Sequence, residues 1–442
     1  MRPQLLRFFF AIVAEIVICA GLKFSDDWTQ ETMPVRFVAS AMLGGIAYWF
    51  AVAQYSRLTT LHRKVLIFWV VAIALRVVVL PLAPGDDFWR YRWEGRIQHA
   101  GFNPYVSAPE APELAALAET EPDWGKINHR EFAAIYPPGA EVVFAALRRL
   151  SENPILYKLL FAVADLGSVA ILLRIIGGGD SHARSAWYAW NPLVVYSFAG
   201  SAHFDSLMIL ALLAGVLFLL RHEAANDARR KWVFAFGAAT LLGLAISIKL
   251  VPLLLLPLCV FALGKRAVTL AVSLLIPASL SVFYGWPAIP IWDSLRRFAY
   301  VTRLNDLFWW LAEEFVWPNP HQKNYHYNVI IVGVAIGVSL LFLRNWKRGM
   351  LWVMGAALIL SPVLHPWYCT WILPFATWRR SYAWHVLSIS LFTYFLFWNE
   401  RLFALPWHSE PWTRALIILP PAVAALLFWR QRRDTAGNLP LT

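Results

Sequence analysis

Long uninterrupted apolar runs recur along the whole chain and are separated by shorter polar connections. Continuous runs of this length are typical of membrane-spanning helices, whereas a membrane β-barrel would alternate apolar and polar positions. The pattern therefore predicts an all-α fold, a polytopic transmembrane helical bundle of about 11–14 spans. The candidate spans are 5–22, 34–54, 65–83, 154–176, 185–202, 204–220, 232–249, 251–263, 267–285, 326–343, 350–364, 366–378, 382–398 and 411–429.

Two long polar segments, 84–153 and 286–325, interrupt this pattern. The first contains a short helix with proline at its start, "PELAALAET" at 112–120. It also contains an amphipathic stretch at 137–150, which we expect to lie on the membrane surface. Its predicted apolar face consists of Val142, Val143, Ala146, Leu147 and Leu150. The second segment mixes tryptophan with charge and predicts another interfacial helix. We divide the chain into N-terminal spans (1–63), a central region (64–380) and C-terminal spans with a basic tail (381–442).

Charge fixes the predicted orientation. The chain has 442 residues, of which 59% are hydrophobic and 15% charged, with a net charge of +12. Basic residues concentrate in alternate connections, at 57–64, 221–231, 265–266, 344–348 and 379–380, and in the tail at 430–433. The positive-inside rule places these connections and both termini in the cytoplasm, and the acidic connection at 25–32 outside. Because no basic face stands on a soluble fold, we expect no nucleic-acid partner.

The most unusual polar stretch, "DDFWRYRWEG", follows the third span on the outer side. Asp86 and Asp87 could be a solvated stop signal at the end of a helix. However, Trp89 and Trp93 provide a low-dielectric wall, and Arg90 provides a nearby cation. Desolvation and cations both shift the pKa of a carboxyl group, which makes this pair a candidate general base or metal ligand.

Two further polar clusters fall on the same predicted side. In "AGSAHFDSL", Asp205 could cap the sixth span, or it could face the same aqueous site as Asp87 together with His203. Lys249 closes the seventh span; it could extend to the membrane interface, or it could hold a phosphate as a point charge. Arg296 and Arg297 in the second polar segment could bind phosphate in the same way.

The last cluster is "SPVLHPWYCTW", in which His365 lies between two prolines. It could be an incidental histidine in an interfacial aromatic belt, or it could bind a hydroxylated ligand or a phosphate with Trp367 and Tyr368. Transporters carry ionisable residues near mid-span, and few occur here. The sequence therefore favours a reaction at the outer surface, although a lipid-sugar flippase or a non-catalytic assembly subunit stays open.

Four segments together resemble a known family. They are "DDFWRYRWEGRIQHAGFNPYVSAP", "YPPGAEVVFA", "NPLVVYSFAGSAHFDSL" and "LSPVLHPWYCTWILPF". They are similar to the polyprenyl-phosphate-mannose-dependent mannosyltransferases, which belong to the GT-C class of integral-membrane glycosyltransferases. In that family the first segment has the pattern D-D-x-Y-R-Y-x-W-D-G; here Trp89 replaces a tyrosine and Glu94 an aspartate. The resemblance covers about residues 64–380. This chain has three predicted spans before the acidic segment, where the family has one.

The resemblance implies a GT-C-like catalytic region that transfers a hexose, expected to be mannose, from a polyprenyl monophosphate to an acceptor hydroxyl, on the periplasmic face of a bacterial inner membrane. We expect inversion, with Asp87 as general base and Asp86 as its neighbour or substitute. Candidate ligands of the donor phosphate are Lys249, Arg90, Arg296, Arg297 and His365. Candidate ligands of the sugar or acceptor are Trp93, Glu94, Tyr105, Tyr136, His203, Asp205, Trp367 and Tyr368.

The expected partners are the lipid donor, the bilayer and an acceptor that is a glycan, a glycolipid or a protein. We predict no resident metal site and no required cofactor, because a monophosphate donor needs none. A divalent cation such as Mg²⁺ or Mn²⁺ could nevertheless bind Asp86, Asp87 and Asp205. Transfer of a pentose or glucose from the same carrier stays open, since only the resemblance favours mannose.

Overall fold

The computed structural model of the chain describes residues 3–25, 33–58, 64–321, 323–397 and 411–437. Within these ranges the chain is built from helices and contains no β-strand, which confirms the all-α prediction. The α-helices are α1 (Pro3–Gly21), α2 (Met33–Ser56), α3 (Lys64–Val79), α4 (Asp86–His99), α5 (Ala115–Glu119), α6 (Pro138–Leu150), α7 (Pro154–Ile176), α8 (Ser181–Ala189), α9 (Pro192–Val195), α10 (Asp205–Ala224), α11 (Ala228–Ile248), α12 (Leu256–Leu263), α13 (Ala271–Phe283), α14 (Asp293–Val301), α15 (Leu307–Phe315), α16 (Tyr325–Leu341), α17 (Trp346–Ile359), α18 (Leu373–Arg379), α19 (Ala383–Ser390) and α20 (Pro411–Gly437).

The polytopic membrane prediction is confirmed, with fewer full-length spans than expected. By length and composition, 7 helical stretches of the described chain can cross a membrane, or up to 8 if the pair α16–α17, bent by 77°, is one span. They are Pro3–Gly21, Met33–Ser56, Pro154–Ile176, Asp205–Ala224, Ala228–Ile248, Val251–Phe283 and Trp412–Arg430. Most of the acidic connection (26–32) and Arg63 lie outside the described residues, as do the side chains of Arg432 and Arg433.

The stretch Val251–Phe283 counts as one candidate by length, yet both of its ends lie near α4. Lys249, two residues before it, forms an ion pair with Asp205, and both act on the charge of Asp87 in the first turn of α4. The hydroxyl of Tyr284, directly after it, donates to the Gln98 side chain of α4 at 2.7 Å. Its middle lies at the far end of α11, where the Arg266 guanidinium is 5.4 Å from the Trp232 ring. The stretch therefore runs away from α4 and returns.

The predicted continuous span at 185–202 is wrong. Helix α8 ends at Ala189, α9 begins at Pro192, and a single π-helical turn follows at Tyr196–Gly200. The cause is Asn191, because the residue before a proline avoids the helical conformation and asparagine can cap the next helix. The Asn191 side chain accepts hydrogen bonds from the backbone N–H groups of Leu193 and Val194.

The polar segment 84–153 folds against the bundle. The short helix predicted near 112–120 is confirmed as a 3₁₀ turn, Pro112–Leu114, followed by α5. Helix α6 is also confirmed, whereas its predicted position on the membrane surface stays a prediction. Leu147 is buried, whereas Val142 and Leu150 are exposed, and the inward residues include Glu141 and Phe144. The reason is that α6 packs against α4 and α11. A Cβ at Gly95 of α4 would lie 2.5 Å from the Phe144 carbonyl oxygen, so only glycine permits this approach.

The terminal spans pack on one another and on the centre. Helix α2 contacts α1, α19 and the 3₁₀ segment Leu391–Phe397. A buried polar network joins them, in which Asn191 donates to Ser388 Oγ at 2.8 Å and the Tyr48 hydroxyl donates to the Trp187 carbonyl at 2.6 Å. Buried polar groups inside a membrane bundle require such internal partners. The domain boundaries near residues 63 and 380 stay predictions.

Candidate active site

The two acids lie at the N-terminus of α4, next to the segment that leads into α10. Asp86 and Asp87 lie in the first turn of α4 and Arg96 and His99 in its last, an arrangement that complements the helix dipole. The Gly85 N–H donates to the Ser201 carbonyl at 2.9 Å. A Cβ at Gly85 would lie 2.4 Å from Ser201 Oγ, so glycine lets this helix start approach the segment that leads into α10.

Asp87 is partly buried in this site. Its side chain is 22% exposed, and its Oδ2 atom lies 3.9 Å from His203 Nδ1. The Tyr91 hydroxyl lies 3.5 Å from the same oxygen. Burial and the adjacent Asp86 carboxylate raise the pKa of Asp87 to about 7, although Asn128 and Lys249 act in the opposite direction. A carboxyl group with a pKa near neutrality is suited to take up a proton during a reaction.

Asn128 is a site residue that the sequence analysis missed. Its side-chain nitrogen lies 3.1 Å from Asp87 Oδ1 and 3.4 Å from Asp86 Oδ2. It follows the acids by about forty residues, in a loop without periodicity. The one signal in the sequence that could have indicated Asn128 is that the segment 84–153 has to return to the membrane near its starting point, which brings its later residues back toward the acids.

Asp205 and Lys249 form the second centre of the site. Lys249 Nζ lies 2.9 Å from Asp205 Oδ1, and the Trp371 indole N–H donates to the same oxygen at 2.7 Å. Helix α10 begins at Asp205, but Asp205 Oδ1 accepts from Lys249 and Trp371 and its Oδ2 has no hydrogen-bond partner, so the capping interpretation is wrong. Burial lowers the pKa of Lys249, but Asp205, Tyr368 and Asp87 together outweigh burial, and the net effect raises the pKa. Lys249 therefore keeps its positive charge at neutral pH.

A stack of three rings forms the wall opposite α4. Trp367 lies between His203, at a centroid distance of 3.8 Å, and His365, at 4.3 Å. Burial and then Lys249 lower the pKa of His365 to about 3, and the same causes lower the pKa of His203. Both imidazoles are therefore neutral at physiological pH. His365 could contact a phosphate through a hydrogen bond but would not bring a positive charge.

The predicted arginines occupy different places. Arg90 is buried, its Nε donates to Glu94 Oε1 at 2.6 Å, and its other nitrogens donate to the loop that carries Asn128. Arg296 is exposed and pairs with Asp293 at 2.7 Å. The Arg297 guanidinium lies 5.6 Å from the Phe132 ring. These contacts leave Lys249 as the predicted cation that the structure brings next to Asp205 and the aromatic rings.

The predicted sugar-binding aromatics lie at different depths. Trp93 is fully buried and packs on Trp124 at a centroid distance of 5.1 Å. The Tyr105 hydroxyl donates to the Tyr136 carbonyl at 2.7 Å, so Tyr105 supports Tyr136 from behind. Tyr136 packs on Tyr91 and lines the cavity described next, as does Tyr368. Tyr136, Tyr368 and Trp367 are therefore the predicted aromatics closest to the acids and Lys249.

An apolar cavity of about 940 Å³ opens beside Lys249. Its polar end is lined by Tyr136, Lys249, Tyr368 and Trp371. From there it extends between Val251–Val260, helix α14 and helices α16 and α17, and its walls are almost entirely aliphatic. The cavity thus joins the partly buried cation of Lys249 to a long hydrocarbon surface, which suits an amphiphile with an anionic head.

The groups that could bind a metal ion here are the carboxylates of Asp86 and Asp87 and the side-chain amide of Asn128. Among the described residues, no group of three or more His, Cys, Asp or Glu side chains is arranged to hold a metal ion. The role of a divalent cation stays a prediction, and chelation tests it below.

The sequence that builds this site matches a known protein family. A family model described as alpha-(1->6)-mannopyranosyltransferase, N-terminal domain, matches residues 15–265, which is more than half of the chain. The matched range includes Asp86, Asp87, Asn128, Asp205 and Lys249, whereas the ring stack around Trp367 lies beyond it. A search of curated proteins finds no match.

Proposed function

The chain belongs to the alpha-(1->6)-mannopyranosyltransferase family and is a multi-pass membrane glycosyltransferase; from this premise we propose that its mannose donor is a polyprenyl monophosphate. The observation that carries the proposal is the position of Lys249. It lies at the polar end of the apolar cavity and within 2.9 Å of Asp205, in the same cluster as Asp87. A lipid-linked sugar needs a hydrocarbon groove, a cation for its phosphate and a base within one site.

The proposed reaction is a single displacement. Asp87 Oδ2 takes the proton from the acceptor hydroxyl while the acceptor oxygen attacks the anomeric carbon. The bond between the anomeric carbon and the phosphate oxygen breaks, and the electron pair leaves with the polyprenyl phosphate. Lys249 stabilises the negative charge that develops on the leaving oxygen, because a fixed cation in a low-dielectric site is most effective there. Displacement from the opposite face inverts the anomeric configuration.

We further propose that the site faces the periplasm and that both termini are cytoplasmic. Asp87, Asp205 and Lys249 lie at one end of α11, and the basic connection at 265–266 lies at the other, where Arg266 contacts Trp232. The positive-inside rule assigns the basic end to the cytoplasm.

A transfer assay with the purified protein in lipid nanodiscs tests the donor. We expect turnover with mannose on a long polyprenyl phosphate, and none with the same sugar on a nucleotide. Glucose and pentose carried by the same lipid should react more slowly. Activity should persist in the presence of a chelator, and loss of activity would show that a divalent cation is required. Turnover with the nucleotide sugar alone would contradict the proposal.

Filling the groove should act on the lipid tail. Ala299 of α14 lines the cavity, and because α14 has no buried residues, Ala299→Trp should fold. We expect the KM for a long-chain donor to rise about tenfold, which corresponds to roughly 1.4 kcal/mol of lost binding free energy. The KM for a donor with two isoprene units should change little, because a short chain makes less apolar contact with the cavity. Tyr300→Trp, at an exposed position on the same helix, is the matched control. Equal effects on both donors would place the tail elsewhere.

The raised pKa of Asp87 predicts the pH profile. The base is active only when ionised, so kcat/KM should fall about tenfold per unit as the pH drops below about 7. Asp86→Asn removes the neighbouring negative charge, which lowers the pKa of Asp87 and should move this acid limb to lower pH. Measuring kcat/KM from pH 5 to 9 for both proteins checks the prediction. An unchanged limb in Asp86→Asn would assign it to another group.

A further inference from the structure

We propose that Asn128 is a positioning residue for the general base: its side-chain amide holds Asp87 by Oδ1 and so presents Oδ2 to the acceptor hydroxyl. This inference rests on the proposed function, in which Asp87 removes the acceptor proton. It adds a residue from outside the acidic motif, and it predicts which carboxylate oxygen reacts.

The contacts of Asn128 define this role. Its nitrogen lies 3.1 Å from Asp87 Oδ1 and 3.4 Å from Asp86 Oδ2, so one amide group bridges both carboxylates. The amide must present its N–H groups here, since a carbonyl oxygen in that place would face two acceptors. With Oδ1 engaged, Asp87 Oδ2 faces His203 Nδ1, a buried atom without a hydrogen-bond partner.

The loop that carries Asn128 is fastened to the same helix as the two acids. Arg90 Nη1 donates to the His129 carbonyl at 2.8 Å, Arg90 Nη2 donates to the Phe132 carbonyl, and Glu94 fixes the guanidinium. His129 has φ +46°, which is uncommon for a residue other than glycine and persists only where the surroundings impose it. Helix α4 therefore provides both the carboxylates and the support that aims Asn128 at them.

The surroundings of Asp87 determine the sign of the expected effect. The titratable and charged groups that face it are Asp86 and Tyr91 of α4, Tyr136, His203, Asp205, Lys249, Tyr368 and Tyr394. Among its neighbours, Asn128 and Lys249 favour the ionised form, and Asp86 and Asp205 oppose it. Removing the Asn128 donor should therefore raise the pKa of the base and move the acid limb of kcat/KM to higher pH.

The test is the pH profile of Asn128→Ala in nanodiscs. We expect kcat at pH 8.5 to fall about tenfold to a hundredfold, since a misaligned base transfers protons poorly, and the acid limb to rise by about half a pH unit to one unit. Asn128→Asp keeps the shape of the side chain but adds a third carboxylate, so the acid limb of kcat/KM should move to a higher pH than in Asn128→Ala. Glu131→Gln, an exposed change in the same loop, is the control and should match the parent protein.

Two results would overturn the inference. One is a fall in kcat for Asn128→Ala with an unmoved acid limb, which would mean that the residue only shapes the loop. The other is an unchanged kcat. Arg90→Lys, which weakens the support of the loop, should shift the limb in the same direction by less. The inference and the proposed function fail differently: turnover by Asp87→Asn would refute Asp87 as base, whereas an inactive Asp87→Asn beside a normal Asn128→Ala would refute the role of Asn128 alone.

Discussion

Asp87→Asn is expected to lower kcat by about 10²–10⁴-fold, the range that a positioned general base contributes. The amide has nearly the same shape as the carboxylate but cannot accept a proton at neutral pH. Because Asp87 lies in the first turn of α4 and is partly exposed, the change should leave the fold intact. The measurement is single-turnover transfer from the lipid donor, together with the thermal midpoint of the same sample.

Asp86→Asn is the matched control for this prediction. Asp86 contacts the Asp87 backbone N–H and Asn128, whereas Asp87 also approaches His203 and Tyr91. We expect Asp86→Asn to retain most of its turnover at pH 8. If Asp86→Asn were inactive and Asp87→Asn active, the two acids would have the opposite roles.

The clustering of Asp87, His203, Asp205 and Lys249 could be anticipated from the sequence. Each stands at the end of an apolar segment, and the charge pattern assigned all of these ends to one side of the bundle. Since helices of similar length that cross one membrane have their ends at the same level, polar residues at those ends converge. The family resemblance then ranked the acids of α4 above the others. The sequence could not decide whether Asp205 caps its helix or faces the site, or whether Lys249 extends to the membrane interface or into the site. In each case the two positions of the side-chain atoms differ by only a few ångströms.

Other parts of the site depend on tertiary contacts that leave little trace in the sequence. Arg90 looked like a phosphate ligand because it stands beside the acids, but its position on α4 turns it toward Glu94 and the loop at 128–132. Trp93 looked like a sugar platform, but it is on the buried face of the same helix. A helix presents successive residues about 100° apart, so neighbours in the sequence face different partners.

Broken helices were the second source of error. Several site residues belong to, or directly follow, short helical pieces instead of continuous spans; these pieces are Tyr196–Gly200, Val251–Leu255 and Pro366–Trp371. Average hydropathy does not register such breaks, because their residues are as apolar as those of a regular helix. Irregular backbone inside a membrane is tolerated where it is buried in protein or lines a cavity, and π-helical turns often occur at functional sites. Short apolar pieces next to a polar motif are thus a useful signal.

Lys249→Met should slow transfer strongly and also destabilise the protein, for two separable reasons. It removes the cation proposed to stabilise the leaving phosphate, and it leaves Asp205 buried without its ion-pair partner. Loss of one such group costs about 10²–10³-fold in rate, and an unpaired buried charge destabilises a protein by roughly 3–5 kcal/mol. We therefore expect both slow turnover and a lowered thermal midpoint.

The double variant Lys249→Met/Asp205→Asn separates these effects. An asparagine at 205 can still accept the hydrogen bond from the Trp371 indole, and it leaves no isolated charge. Its thermal midpoint should therefore return close to that of the parent protein while turnover stays low. Lys249→Arg, which keeps the charge, should retain measurable transfer. Recovery of turnover in the double variant would mean that Lys249 only neutralises Asp205, and the phosphate would then have to be bound by other groups.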